Sequence, residues 1–137
     1  MTVSSRRRAE LEEALQRVRQ RIDDAVKAAG RPPGSVELLA VTKTFPATDV
    51  AALIDLGLRE FGENRDQEAA AKVAEVAALR PDADVRWHMV GRLQRNKARS
   101  VARWADVVQS VDSVRLAVAL AKAVARAREE GHRPDEP

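Results

Sequence analysis

The sequence contains no cysteine, which removes disulfides and thiolate metal sites together and makes a cytoplasmic location the natural expectation. Aromatic side chains are scarce as well, two Trp and two Phe, so there is little material for stacking nucleic-acid bases. No apolar run approaches the roughly 18 residues needed to cross a membrane, and the basic start Arg6-Arg7-Arg8 lacks the apolar stretch of a signal peptide. A strong excess of one charge is missing too. The formal net charge is +3, with 24 basic residues of which only five are lysine, and that thin positive balance argues against nucleic acid as a partner. Three motifs are absent. Without G-x-G-x-x-G after a strand, a dinucleotide fold has no local support. Without H-E-x-x-H or an acidic cluster of ligand spacing, no metal site is expected. Without G-x-S-x-G, Ser-His-Asp catalysis is not suggested.

What is present describes a globular domain. Apolar residues make up 45% of the 137-residue chain and charged ones 33%, enough for one ordinary domain with a real core. Leu11, Leu15, Val18, Ile22, Val26 and Ala29 recur at steps of three and four, predicting an amphipathic first helix that Gly30 and Pro32-Pro33 end. A strand over residues 38–43 follows, then a short helix capped at Thr48 and closed by Gly57. Residues 58–63 read as a second strand, 66–79 as an Ala-rich helix stopped by Pro81, and 85–90 as a third strand. Residues 94–104 are helical, 106–110 form a fourth strand, and Asp112 caps a last helix. Strands alternating with helices predict a parallel sheet with helices packed outside it. The candidates are a flavodoxin-like open sheet and part of a (β/α)8 barrel. A whole barrel takes about 250 residues, so four units after an N-terminal helix amount to half of one.

Ligands of both architectures bind at the C-terminal ends of the strands. Lys43 ends the first strand, where a desolvated amine has the chemistry for a Schiff base with a carbonyl such as pyridoxal 5′-phosphate (PLP); the plainer alternative is a side chain that snorkels to solvent. The second strand runs into Asn64, the third carries His88 and the fourth finishes at Ser110. Each also has an ordinary role open to it: Asn64 in an Asx turn, His88 as a satisfied core histidine, Ser110 as a helix cap. Trp87 and Trp104 read as packing residues. The basic run from Arg92 to Arg99 is either a phosphate-catching helix start or a solvated helix face.

Three segments, in order and in register, resemble the pyridoxal phosphate homeostasis protein family: Leu39-Ala40-Val41-Thr42-Lys43-Thr44-Phe45-Pro46, Phe61-Gly62-Glu63-Asn64-Arg65-Asp66-Gln67-Glu68, and Trp87-His88-Met89-Val90-Gly91-Arg92-Leu93-Gln94-Arg95-Asn96-Lys97. Val108-Gln109-Ser110-Val111-Asp112-Ser113 adds a weaker fourth. The resemblance implies a (β/α)8 barrel like the N-terminal domain of alanine racemase and other fold-type III PLP proteins. It implies PLP held through a Schiff base on Lys43, with Asn64, His88 and Ser110 lining the cofactor mouth and no catalytic residue. The implied function is PLP homeostasis, a carrier role in vitamin B6 balance without established catalysis, with PLP-dependent apoenzymes as candidate recipients. Arg65 and Phe45 depart from the family pattern.

The resemblance also implies that residues 1–137 are one partial domain. Where the chain reaches Pro137, family members continue into a fifth strand; strands 5–8, with the Ser/Gly/Thr-rich loops that grip the PLP phosphate, are expected to be absent. Self-association of two half-barrels, or a fragment that does not bind, are then the alternatives to a binding half. A racemase is the enzymatic alternative, but such enzymes recruit a tyrosine, and this chain has none. An RNA-binding or acid-binding interaction protein ranks last.

Overall fold

The computed structural model describes residues 3–133; residues 134–137, the tail beyond which a fifth strand is expected, lie outside them. Four strands alternate with helices in the described residues: α1 (Ser5–Ala28), β1 (Ala40–Val41), α2 (Ala47–Asp55), β2 (Glu60–Glu63), α3 (Asp66–Leu79), β3 (Arg86–Met89), a 3-10 turn (Arg95–Lys97), α4 (Ala98–Trp104), β4 (Val107–Val108) and α5 (Val114–Glu129). Every strand pair is parallel and the spatial order is β1-β2-β3-β4. A flavodoxin-like sheet reverses direction after its first strand; this one advances in sequence order, as the wall of a barrel does. The helices follow the same rule, α1 packing on α2, α2 on α3, α3 on α4 and α4 on α5. They form an arc along one side of the sheet.

Local chemistry sets the element ends. The Ser4 hydroxyl accepts from Arg7 N at 3.1 Å and starts α1, and Gly30, at φ +68°, turns the chain out of it. Helix α2 begins one residue before the expected cap: Pro46 holds the N-cap position, its carbonyl accepting from Asp49 N at 3.0 Å. Helix α5 is capped by Ser113, which accepts from Leu116 N, and not by Asp112. The expected helix over 94–104 is split, its first turn tightened into the 3-10 segment. The strands are shorter than the apolar runs that announce them, because regular pairing stops where a neighbour stops. Single ladder bonds nevertheless continue past the ends, from Thr42 N to the Gly62 carbonyl, Val90 N to Glu63 and Gln109 N to Met89.

The two faces of the sheet differ. Phe61, Trp87 and Met89 alternate toward the helices and join Leu15, Val50, Ile54, Val76, Val101 and Trp104 in the core. The Phe61 and Trp87 rings meet at 5.6 Å, tilted by 38°. Both tryptophans are therefore packing residues, and Trp104 also donates its indole N–H to Asp66 at 2.8 Å, tying α4 to the start of α3. Val41, Val90 and Val107 alternate to the opposite face and lie outside that core; Val41 stays 50% exposed. Two ion pairs brace the helix arc. Arg7 grips Asp49 with both Nε (3.1 Å) and a terminal nitrogen (2.7 Å), and Arg80 grips Asp55 in the same two-pronged way at 2.7 and 2.6 Å. The Arg80 hydrogen bond holds the Asp55 carboxyl below the usual carboxylate range.

Candidate functional site

Beyond β1 the chain makes a tight turn in which Phe45 N donates to the Thr42 carbonyl at 3.1 Å. Lys43 sits in this turn and is exposed. The amine expected to be buried at a strand end is thus presented past the sheet edge. Thr44 follows at φ +70°, the one non-glycine residue with positive φ among those described. A β-branched residue there costs on the order of 1–3 kcal/mol, and such strain persists only where the surroundings enforce it.

The surroundings do enforce it. Helix α3 sends two charged side chains, one turn apart, under the turn. Glu68 Oε1 accepts from Thr44 N at 2.6 Å, and that bond is the largest of the influences holding the Glu68 carboxyl below its ordinary range, with the nearby Lys72 charge adding to it. Lys72 Nζ donates to the Thr42 carbonyl at 2.7 Å and to both oxygens of Glu63 at 2.9 and 3.1 Å. Thr42 Oγ1 in turn donates to Glu63. Glu63, Lys72 and Thr42 are all buried, Glu63 completely. The buried amine of this region is therefore Lys72, which the sequence reading passed over. Its signal was there: Lys72 stands between Ala69 and Val76, at steps of three and four on the buried stripe of α3.

Of the remaining predicted residues, Asn64 and Ser110 lie past the C-terminal ends of β2 and β4, and His88 lies within β3. Register pairs Val41 with Gly62, Gly62 with His88, and His88 with Val107. Lys43 and Asn64 both lie just past the C-terminal ends of their neighbouring strands, β1 and β2. Asn64 is half-buried and is held from behind by Gly91: a Cβ at that glycine would lie 2.8 Å from the Asn64 Cβ. Gly62 likewise lets Val41 and Val90 close over it, since its Cβ would meet them at 3.4 and 3.1 Å. Val41, Gly62 and Val90 so make an apolar patch on the face away from the helices.

His88 is buried on this face with both ring nitrogens engaged, Nε2 with Glu60 at 2.9 Å and Nδ1 with the Gln109 side-chain amide at 2.9 Å. The amide N–H of Gln109 donates to Nδ1, which leaves Nε2–H to donate to Glu60. The histidine bridges β2, β3 and β4, and Gln109 is a second site-face residue that the sequence reading left unassigned. Ser110 does not cap a helix; its hydroxyl donates to the Val90 carbonyl at 3.3 Å. It is exposed, and it follows β4, at the opposite side of the sheet from β1 and Lys43. Arg92 and Lys97 of the basic run line an open cleft of about 530 Å³ with Asn64, Arg65 and Gln94; their side chains are solvated. Among the described residues no group of three or more His, Asp or Glu side chains is placed to hold a metal, and no helix is long and apolar enough to cross a membrane.

No protein-family model matches the chain. Curated proteins do. A pyridoxal phosphate homeostasis protein of Mycobacterium tuberculosis is 53% identical over 133 residues, covering 93% of this chain and 52% of the relative. One from Escherichia coli is 42% identical over 106 residues, covering 77% of this chain and 45% of the relative. Among solved structures, an unknown protein from Bifidobacterium adolescentis is similar at TM-score 0.83 and 36% identity, covering 95% of this chain and 54% of that one. PipY of Synechococcus elongatus, solved with PLP bound, is similar at TM-score 0.68 and 40% identity over 88% of this chain and 50% of that one. The chain spans about half the length of the proteins it matches.

Proposed function

The chain belongs to the pyridoxal phosphate homeostasis protein family, and on that premise we propose that it binds PLP as a cargo, through a reversible Schiff base at Lys43. The observation that carries this reading is the position of Lys43: an exposed primary amine at the C-terminal edge of a parallel sheet, on a backbone turn held in an uncommon conformation. PLP brings an aldehyde, which condenses with a primary amine, loses water, and returns when another amine or water displaces it.

The residues fit such a cargo. The patch of Val41, Gly62 and Val90 offers an apolar bed for a flat ring. Asn64, just past the end of the neighbouring strand β2, supplies an amide, and Ser110, beyond β4, a hydroxyl. His88 has no free ring nitrogen, so its part is to brace the three strands under the cargo rather than to bond it. PLP-dependent apoenzymes are the natural recipients of a cargo released by amine exchange. The reading takes residues 1–137 as one PLP-binding unit comprising four β/α units of a (β/α)8 barrel, and it assigns binding without turnover.

The test is the visible absorbance of the imine when the protein is titrated with PLP. The wild type is expected to develop the band and Lys43→Ala to lose it. An undiminished band in Lys43→Ala would remove Lys43 from the assignment.

A further inference from the structure

The amine of Lys43 has a side chain in solvent, so what fixes its direction is its backbone. Two peptide groups flank its Cα. The preceding one ends in the Thr42 carbonyl, which accepts from the buried Lys72 ammonium at 2.7 Å. The following one begins at Thr44 N–H, which donates to Glu68 at 2.6 Å. Both partners lie on α3, four residues apart, and Lys72 is itself locked by Glu63 and stands 3.5 Å from Glu68. A helix of the next β/α unit thus grips the backbone on both sides of one exposed lysine. Charged partners make these the stronger class of hydrogen bond; Lys43 lies between them, and the left-handed Thr44 follows it inside the turn that Phe45 N closes on the Thr42 carbonyl.

We propose that Glu68 and Lys72 are positioning residues for Lys43, a clamp on its two flanking peptide groups that sets the amine's approach to a bound aldehyde. This rests on the reading of Lys43 as the PLP-binding lysine. A buried ion pair that served stability alone would be satisfied by Glu63 and Lys72; it would not need Glu68, whose side chain is 32% exposed and whose bond goes to the Thr44 backbone. The carbonyl oxygen of a glutamine can accept that bond without the charge, whereas alanine cannot.

The experiment compares Glu68→Ala, Glu68→Gln and the control Glu75→Ala, an exposed position on the same helix, in the full chain. Two readouts are taken: amide hydrogen exchange at Thr44 without PLP, and PLP affinity from the imine absorbance. Glu68→Ala is expected to speed Thr44 exchange roughly tenfold and to weaken PLP binding by a similar factor, the scale of one lost charge-assisted bond. Glu68→Gln is expected to restore most of both, and Glu75→Ala to leave both at wild-type values. Wild-type affinity and exchange in Glu68→Ala would overturn the clamp while leaving Lys43 as the binding lysine. Faster Thr44 exchange with unchanged affinity would also overturn it, since the backbone would then be held without consequence for the amine. If the wild type forms no imine, the binding reading falls and the positioning role with it.

Discussion

Lys72 and Glu63 show at the scale of single residues why a buried charge repays attention. The pair lies in the helix-side core with its remaining valences met by Thr42, so no donor or acceptor is left over among the buried side chains described. Removing one member strands the other in low dielectric, a change that costs about 3–5 kcal/mol in comparable sites. Lys72→Met is therefore expected to lower unfolding free energy by about that amount in urea, and Lys72→Met combined with Glu63→Leu by clearly less than the two singles added together. Additive losses would mean that the two side chains act independently. Gly91 makes a different demand. A methyl group there meets Asn64 at 2.8 Å, and overpacking of this kind costs about 1–3 kcal/mol. Gly91→Ala is expected to lower the melting temperature and to weaken PLP binding through displacement of Asn64; unchanged affinity would take Asn64 out of the site. None of this was legible in composition. A lysine in an Ala-rich helix reads as solvated until its place on the buried stripe is counted, and a threonine gives no sign that it will take positive φ.

Elements were easier to read than their contacts. Helix α3 runs over Asp66–Leu79 as its pattern predicts, since Pro81 and the preceding strand bound it on both sides. The strands, by contrast, shrank to the residues that find partners on a neighbour, and α2 starts at Ala47 with Pro46 at its N-cap and no side-chain cap bond, which leaves Thr48 inside the first turn. Between elements, Arg80 joins the end of α3 to the end of α2 through Asp55. Asp55 has its pKa lowered, chiefly by that bond, so the contribution is present above the usual carboxylate range and is lost as pH falls through the lowered value. Glu68 is lowered by its bond to Thr44 in the same sense. Stability is thus expected to decline as pH drops below the normal titration of Asp and Glu. Asp55→Asn should flatten part of that decline and, for a partly exposed pair, cost at most about 1 kcal/mol at neutral pH. A stability-versus-pH curve with wild-type slope in Asp55→Asn would dismiss the brace.

At the scale of the whole molecule, the decisive fact is the order of the strands. Alternating strands and helices announce a parallel sheet, but periodicity does not distinguish a sheet that reverses from one that advances; the order β1-β2-β3-β4 does. An advancing sheet puts the ends of consecutive strands side by side, which is why Lys43 and Asn64, 21 positions apart in sequence, share one rim. It also leaves Val41 half exposed on the face away from the helices, the inner face of a barrel wall. One lysine on this rim, Lys43, is the proposed site for the aldehyde of PLP. Five lysines compete for it, and borohydride reduction followed by peptide mass mapping tells them apart. Stoichiometric label is expected on Lys43, with Lys72 the least modified because it is buried and ion-paired. Label spread over Lys27, Lys97 and Lys122 at levels equal to Lys43 would contradict the assignment.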